Sequence, residues 1–264
     1  MNRAPLGVFD SGIGGLTVAR ALFERLPQES IIYFGDTARV PYGPKSPDTV
    51  RRYSGEILAY LLQRGVKAVV VACNTSTAHA LDYLKQRSSV PVVGVIEPGA
   101  RAAVAATKTG TIGVIGTAGT IASGAYERAI KALRADARVH SQPCPLFVPL
   151  VEEGWFEHPA AELIAREYLE PLRRANVDVL VLGCTHYPLL KPLLARVMGP
   201  DVKLVDSAEE TASAVSRELE RLDLLANGGS HEHRFVVSDD EPHFRKVGAL
   251  FLGEKLKQVE VVPL

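Results

Sequence analysis

A chain of 264 residues, 47% of them hydrophobic, can bury one large core or two modest ones, which excludes disorder as its main theme. Its 30 basic and 30 acidic side chains cancel, so it lacks the field with which a nucleic-acid binder gathers phosphates. No apolar run approaches the roughly 18 residues of a membrane span, and residues 1–10 hold no stretch suited to a signal peptide. Neither nucleic acid nor membrane is therefore an expected partner, and the cytoplasm is the expected compartment.

Short, almost wholly apolar runs alternate with helical periodicity. Strands are expected over 6–10, 31–34, 66–72 and 92–96, separated by helices over 16–26, 50–64 and 78–86. This is the rhythm of βαβ units whose strands are buried on both faces of a parallel sheet. The rhythm then restarts with a strand at 111–115, helices at 121–134 and 163–175, a strand at 177–182, a helix at 189–197 and a strand at 202–205. A helix over 209–225 leads to the loop Asn227-Gly228-Gly229-Ser230. A strand at 235–237, a helix at 242–252 and a strand at 259–262 then read as a return that completes the first unit.

The second pass echoes the first. Gly7-Val8-Phe9-Asp10-Ser11-Gly12 aligns with Gly113-Val114-Ile115-Gly116-Thr117-Ala118 at an offset of 106, and Val70-Val71-Ala72-Cys73-Asn74-Thr75 with Val181-Leu182-Gly183-Cys184-Thr185-His186 at an offset of 111. An internal duplication predicts two pseudo-symmetric α/β lobes with mainly parallel sheets and an active site in the cleft between them. Residues 1–98 with 208–264 are assigned to the first lobe and 99–207 to the second.

In open α/β sheets, ligands bind beyond the carboxyl ends of the strands, where helix N-termini offer free N–H groups. Cys73 and Cys184 fall at matching strand ends, and no Cys-x-x-Cys spacing links the three cysteines Cys73, Cys144 and Cys184, which are read as reduced thiols. A lone cysteine at a strand end is ordinarily a small buried hydrophobe. Two in facing lobes have the geometry to take a proton from one face of a carbon and return one to the other. Each is expected just before a helix, whose N-terminus lowers a thiol pKa.

Other readings compete. Asp10 to Gly15 followed by Asp36 suggests a dinucleotide site, but the third glycine of the fingerprint is missing and Asp10 would face the pyrophosphate. Cys184 with His186 suggests a Cys–His hydrolase. Cys73, Cys184 and His186 could hold zinc, though without a familiar ligand spacing. A protein that binds small anions without turnover would use the same helix N-termini. His79, His140, His158, His231, His233 and His243 read as solvated or structural.

Taken together and in order, Asp10-Ser11-Gly12-Ile13-Gly14-Gly15-Leu16-Thr17, Pro41-Tyr42-Gly43, Ala72-Cys73-Asn74-Thr75, Leu150-Val151-Glu152 and Gly183-Cys184-Thr185-His186-Tyr187-Pro188 resemble the glutamate racemases. The resemblance implies interconversion of L- and D-glutamate without cofactor or metal, and a supply of D-glutamate for peptidoglycan. It implies Cys73 and Cys184 as the acid/base pair, with Asp10, His186 and Glu152 assisting. It places Asp10, Ser11, Tyr42, Gly43, Asn74, Thr75, Thr185 and His186 around the substrate, with Asn74 meeting the amino group through its amide oxygen. Aspartate racemase shares the paired-thiol logic, but the Asp10-Ser11 pair and His186 favour glutamate. A homodimer is left open.

Overall fold

The computed structural model describes residues 3–228, 232–253, 256 and 258–264. Strands β1 (Leu6–Asp10), β2 (Ile31–Gly35), β3 (Ala68–Val71) and β4 (Val92–Gly94) alternate with helices α1 (Leu16–Arg25), α2 (Pro47–Gln63) and α3 (Asn74–Arg87). Helix α4 (Ile96–Ala106) leads to the second series. It comprises β5 (Thr111–Gly116), α5 (Ala118–Ala122), α6 (Ala125–Leu133), β6 (Arg138–Pro143), α7 (Phe147–Glu152), α8 (Pro159–Arg174), β7 (Val179–Gly183), α9 (Lys191–Met198) and β8 (Lys203–Asp206). The chain closes with α10 (Ala208–Arg221), β9 (His233–Val237), α11 (Glu241–Leu252) and β10 (Val259–Val261).

Two wholly parallel sheets result. Their orders are β10-β9-β2-β1-β3-β4 and β6-β5-β7-β8, so the second repeats the second-first-third-fourth order of the first. The repeat extends to register. Gly7 lies opposite Val69 and Val8 opposite Val70 in the β1–β3 pair; Gly113 lies opposite Leu180 and Val114 opposite Val181 in the β5–β7 pair. These pairs are related by the same offsets, 106 and 111, that align the two sequence segments. Strands β1, β3, β5 and β7 are buried along their whole length, which is why they read as continuous apolar runs. The two cysteine-bearing loops thereby leave equivalent central strands.

Several boundaries differ from expectation. The helix expected over 121–134 breaks at Gly124, whose φ of +64° is left-handed backbone that a side chain rarely adopts. The strand expected over 92–96 stops at Gly94, and α4 starts at Ile96 despite Pro98, because proline is tolerated in a first helical turn. Ile96, Ala100 and Ala103 of α4 pack with Val179, Val181 and Val205 of the second sheet, so the assigned lobe boundary at 98/99 falls inside this helix. Strand β6 escapes sequence reading because it is an edge strand of mostly exposed residues with no apolar run. Asn227 and Gly228 form the expected loop, whereas Gly229, Ser230 and His231 lie outside the described residues.

Candidate active site

A cavity of about 410 Å3 opens at the carboxyl ends of β1, β3, β5 and β7. The first sheet contributes Ser11, Tyr42, Gly43, Cys73, Asn74 and Thr75; the second contributes Thr117, Cys184, Thr185 and His186, with Glu152 from α7. Both expected thiols thus line one space. Cys144 does not; it is fully buried elsewhere, its carbonyl accepting the Tyr187 hydroxyl at 2.8 Å.

Cys73 is the N-cap of α3, where its Sγ accepts the Ser76 N–H at 3.4 Å and lies 3.5 Å from Ser11 Oγ, to which the thiol donates and whose hydroxyl can turn to donate to the ionised sulfur. The helix N-terminus is where the sequence puts it, but the expected lowering of its pKa does not occur. Burial, followed by the charge of Asp10, pushes the thiol up to about 11, against the smaller pull of Ser11 and Ser76. Desolvation of the thiolate outweighs a few partial charges. At neutral pH Cys73 is a thiol.

Cys184 has a different neighbourhood. Its Sγ is 3.9 Å from His186 Nδ1, and His186 Nε2 is 2.9 Å from Glu152 Oε1. Burial works against a charged imidazole, yet the bonds and charges of Cys184 and Glu152 prevail and hold its pKa up at about 10. Burial favours neutral Glu152 in turn, but the His186 bond and charge, helped by His243, lower its pKa. The two shifts agree on an imidazolium–carboxylate pair, which leaves a cation against the Cys184 sulfur.

Asp10 stands behind the cavity wall rather than on it. It is buried, with Oδ2 accepting the Gly12 N–H at 2.9 Å and Oδ1 accepting the Thr185 hydroxyl at 3.4 Å. Burial raises its pKa, opposed by the His186 charge and by bonds from Gly12, Gly15 and Thr185. The structure therefore does not bring Asp10 to the surface of the cavity, and it occupies the loop N–H that a dinucleotide pyrophosphate would need.

Tyr42 is likewise committed, its hydroxyl donating to Asp36. The Gly43 carbonyl accepts the Gly119 N–H at 2.9 Å, tying this loop to the second sheet. Thr75 Oγ1 lies 2.9 Å from Thr117 Oγ1 and 3.2 Å from Thr120 Oγ1, a hydroxyl cluster shared between the sheets. Asn74 departs from its expected role: its amide oxygen already accepts the Tyr126 hydroxyl at 2.7 Å, while Nδ2 is buried with no partner among the described residues. The free group is a donor, which suits a carboxylate and not an ammonium. Thr117, the echo of Ser11 at the end of β5, also lines the cavity, although no substrate role follows for it from the sequence. Val148 and Pro149 of α7 also line the cavity and carried no motif. Among the described residues no group of three or more His, Cys, Asp or Glu side chains is disposed to hold a metal ion.

Residues 15–215 match the family model of the Asp/Glu/hydantoin racemases. Glutamate racemase of Geobacter metallireducens is 56% identical over 260 residues, spanning 98% of this chain and 96% of that protein. The chain belongs to the glutamate racemase family. The crystal structure of a Bacillus anthracis glutamate racemase isoform superposes with a TM-score of 0.97 at 42% identity, covering 100% of this chain and 99% of the other. The Francisella tularensis glutamate racemase, solved with D-glutamate, gives 0.94 at 40% identity, covering 99% and 98%. The protein is accordingly an isomerase of the racemase type.

Proposed function

We propose that this protein interconverts L- and D-glutamate by passing the alpha proton between Cys73 and Cys184. One thiolate takes the proton from one face of Cα, leaving an α-carbanion, and the opposite thiol gives its own proton to the other face. Each turnover inverts the carbon and exchanges the protonation states of the two sulfurs. Cys73, held as a thiol by burial, is assigned as the first donor, and Cys184, 3.9 Å from His186 Nδ1, stands opposite it as the second group of the pair.

The donors around the cavity suit an amino acid with two carboxylates. The Asn74 Nδ2 group and the hydroxyls of Ser11 and Thr75 are the groups we assign to the two carboxylates, with Thr185 lining the same space. His186 and Glu152 assist Cys184, and buried Asp10 orients the Thr185 hydroxyl from behind. We further propose that the D-glutamate supplies peptidoglycan synthesis, that the enzyme works in the cytoplasm, and that the two sheets with their helices are the two lobes. Among the described residues no helix is long and apolar enough to cross a membrane.

The observation that carries this reading is the placement of the two thiols at register-equivalent ends of duplicated strands, lining a single cavity. A Cys–His hydrolase would use the Cys184–His186–Glu152 chain but has no use for a second thiol across the same space. The reading is tested by following the circular dichroism of L-glutamate and, separately, L-aspartate with purified protein and no added metal, pyridoxal phosphate or nicotinamide. Loss of the glutamate signal faster than that of aspartate is expected. A static glutamate signal, equal or reversed rates, or activity abolished by a chelator would count against it.

A further inference from the structure

The orphaned donor of Asn74 has an explanation on the opposite sheet. Tyr126, on α6, is a buried member of the second sheet's core, and its hydroxyl crosses to Asn74 Oδ1 at 2.7 Å, 52 residues away in sequence. The ring fits there because two neighbours are glycines. A Cβ on Gly99 would stand 3.2 Å from the Tyr126 oxygen, and one on Gly183 would stand 3.0 Å from Cε2. The residues held are adjacent to both thiols, because Asn74 follows Cys73 and Gly183 precedes Cys184.

A carboxamide is nearly symmetric in shape but opposite in polarity at its two ends. A half-turn about its terminal torsion replaces a donor by an acceptor. With its oxygen engaged by Tyr126, Asn74 leaves only the amino end free. We propose that Tyr126 is a positioning residue for substrate binding: its hydroxyl locks the Asn74 carboxamide so that Nδ2, and not the oxygen, meets a carboxylate of glutamate. Without that bond the amide can turn its oxygen toward the same carboxylate and repel it. The inference rests on the reading of the cavity as a glutamate site.

Tyr126→Phe keeps the ring and removes only the hydroxyl. Steady-state racemisation of L-glutamate by this variant should show KM raised about tenfold, the loss expected when a bond to a charged group is weakened. The kcat should stay within twofold, because a contact made equally to substrate and transition state affects KM alone. In an Asn74→Ala background the same substitution should change KM by less than twofold. An unchanged KM, a fall in kcat alone, or a full tenfold effect added to that of Asn74→Ala would overturn the proposal, because a merely structural role produces those patterns. If Tyr126→Phe does not fold, Gly99→Ala presses on the hydroxyl from outside the site. It should raise KM less, and again only when Asn74 is present; a rise independent of Asn74 would overturn the proposal. Wild-type protein that fails to racemise glutamate overturns the glutamate reading and this proposal with it, whereas an active wild type with additive losses overturns this proposal alone.

Discussion

The backbone of Gly14 lies against the imidazole of His186, with no room between them for a Cβ atom. This contact joins the loop after β1 to the loop after β7, and Phe251 closes another side of the ring in an edge-on contact, the centroids 5.4 Å apart. The imidazole is thus held from four directions, two of them the polar bonds to Cys184 and Glu152. Gly14→Ala should displace His186 together with the Thr185 hydroxyl, which the added Cβ would also meet. A misplacement of about 1 Å at a catalytic group can cost on the order of 100-fold in rate, so a kcat loss of roughly 10- to 100-fold is expected. Full activity together with an unchanged melting temperature would show that the close contact is dispensable.

The His186–Glu152 pair has a consequence for stability against pH. An imidazole titrates near 6.5 when unfolded, and that of folded His186 near 10. A pKa raised on folding adds stability that is fully present below about pH 6.5 and lost as pH rises through about 10. Glu152→Gln removes the carboxylate that supports the cation. The imidazole titration followed by NMR should move to lower pH in this variant, and its urea midpoint should fall less than that of the wild type between pH 6 and pH 10. An unmoved titration would mean that Glu152 does not hold the proton on His186.

Cys73 offers a chemical readout of its own. Its thiol is pushed up to about 11 by burial and by Asp10, and the Ser11 bond acts in the opposite direction. Thiolate is the reactive form, so alkylation of Cys73 by iodoacetamide, located by mass spectrometry, should keep accelerating above pH 9. Ser11→Ala should shift that profile to higher pH. A plateau near neutral pH would contradict the protonated Cys73 described above.

The elements that were legible in the sequence are those whose burial is symmetric. β1, β3, β5 and β7 read as unbroken apolar runs because both faces are covered, and the two cysteines follow from the echo between those runs. What was not legible depends on contacts distant in sequence. β6 has no apolar pattern because it is an edge, and α7 hides behind Pro145 and Pro149. The Tyr126–Asn74 bond joins residues whose nearness only the packing of α6 reveals. The direction of the Cys73 shift was misread for a related reason. A helix N-terminus is visible in a sequence, whereas the desolvation that outweighs it is not.

Outside the site, Lys67 Nζ and Glu29 Oε2 form an ion pair of 2.6 Å with both side chains 2% exposed, just before β3 and β2 respectively. Glu29 Oε1 also accepts the Ala226 N–H at 2.8 Å, anchoring the segment that returns to the first sheet. Removing one member of a buried pair strands the other, at a cost of about 3–5 kcal/mol. Lys67→Met should therefore lower the unfolding free energy, read from urea denaturation, by an amount of that order, whereas Lys67→Met combined with Glu29→Gln should recover part of the loss. A single variant as stable as the wild type would show that the pair is solvated.

The two-thiol mechanism is tested most directly in heavy water. A thiolate that takes the alpha proton on one face can return it only to that face, while the opposite thiol, equilibrated with solvent, delivers deuterium to the inverted product. Early in the reaction of L-glutamate, D-glutamate should carry deuterium at Cα and the remaining L-glutamate should be largely free of it. Cys73→Ala and Cys184→Ala should each lose at least about 100-fold in racemisation, the lower end for removal of a general acid or base. Deuterium in recovered L-glutamate at the level found in product, or either alanine variant turning over near the wild-type rate, would contradict proton transfer between Cys73 and Cys184.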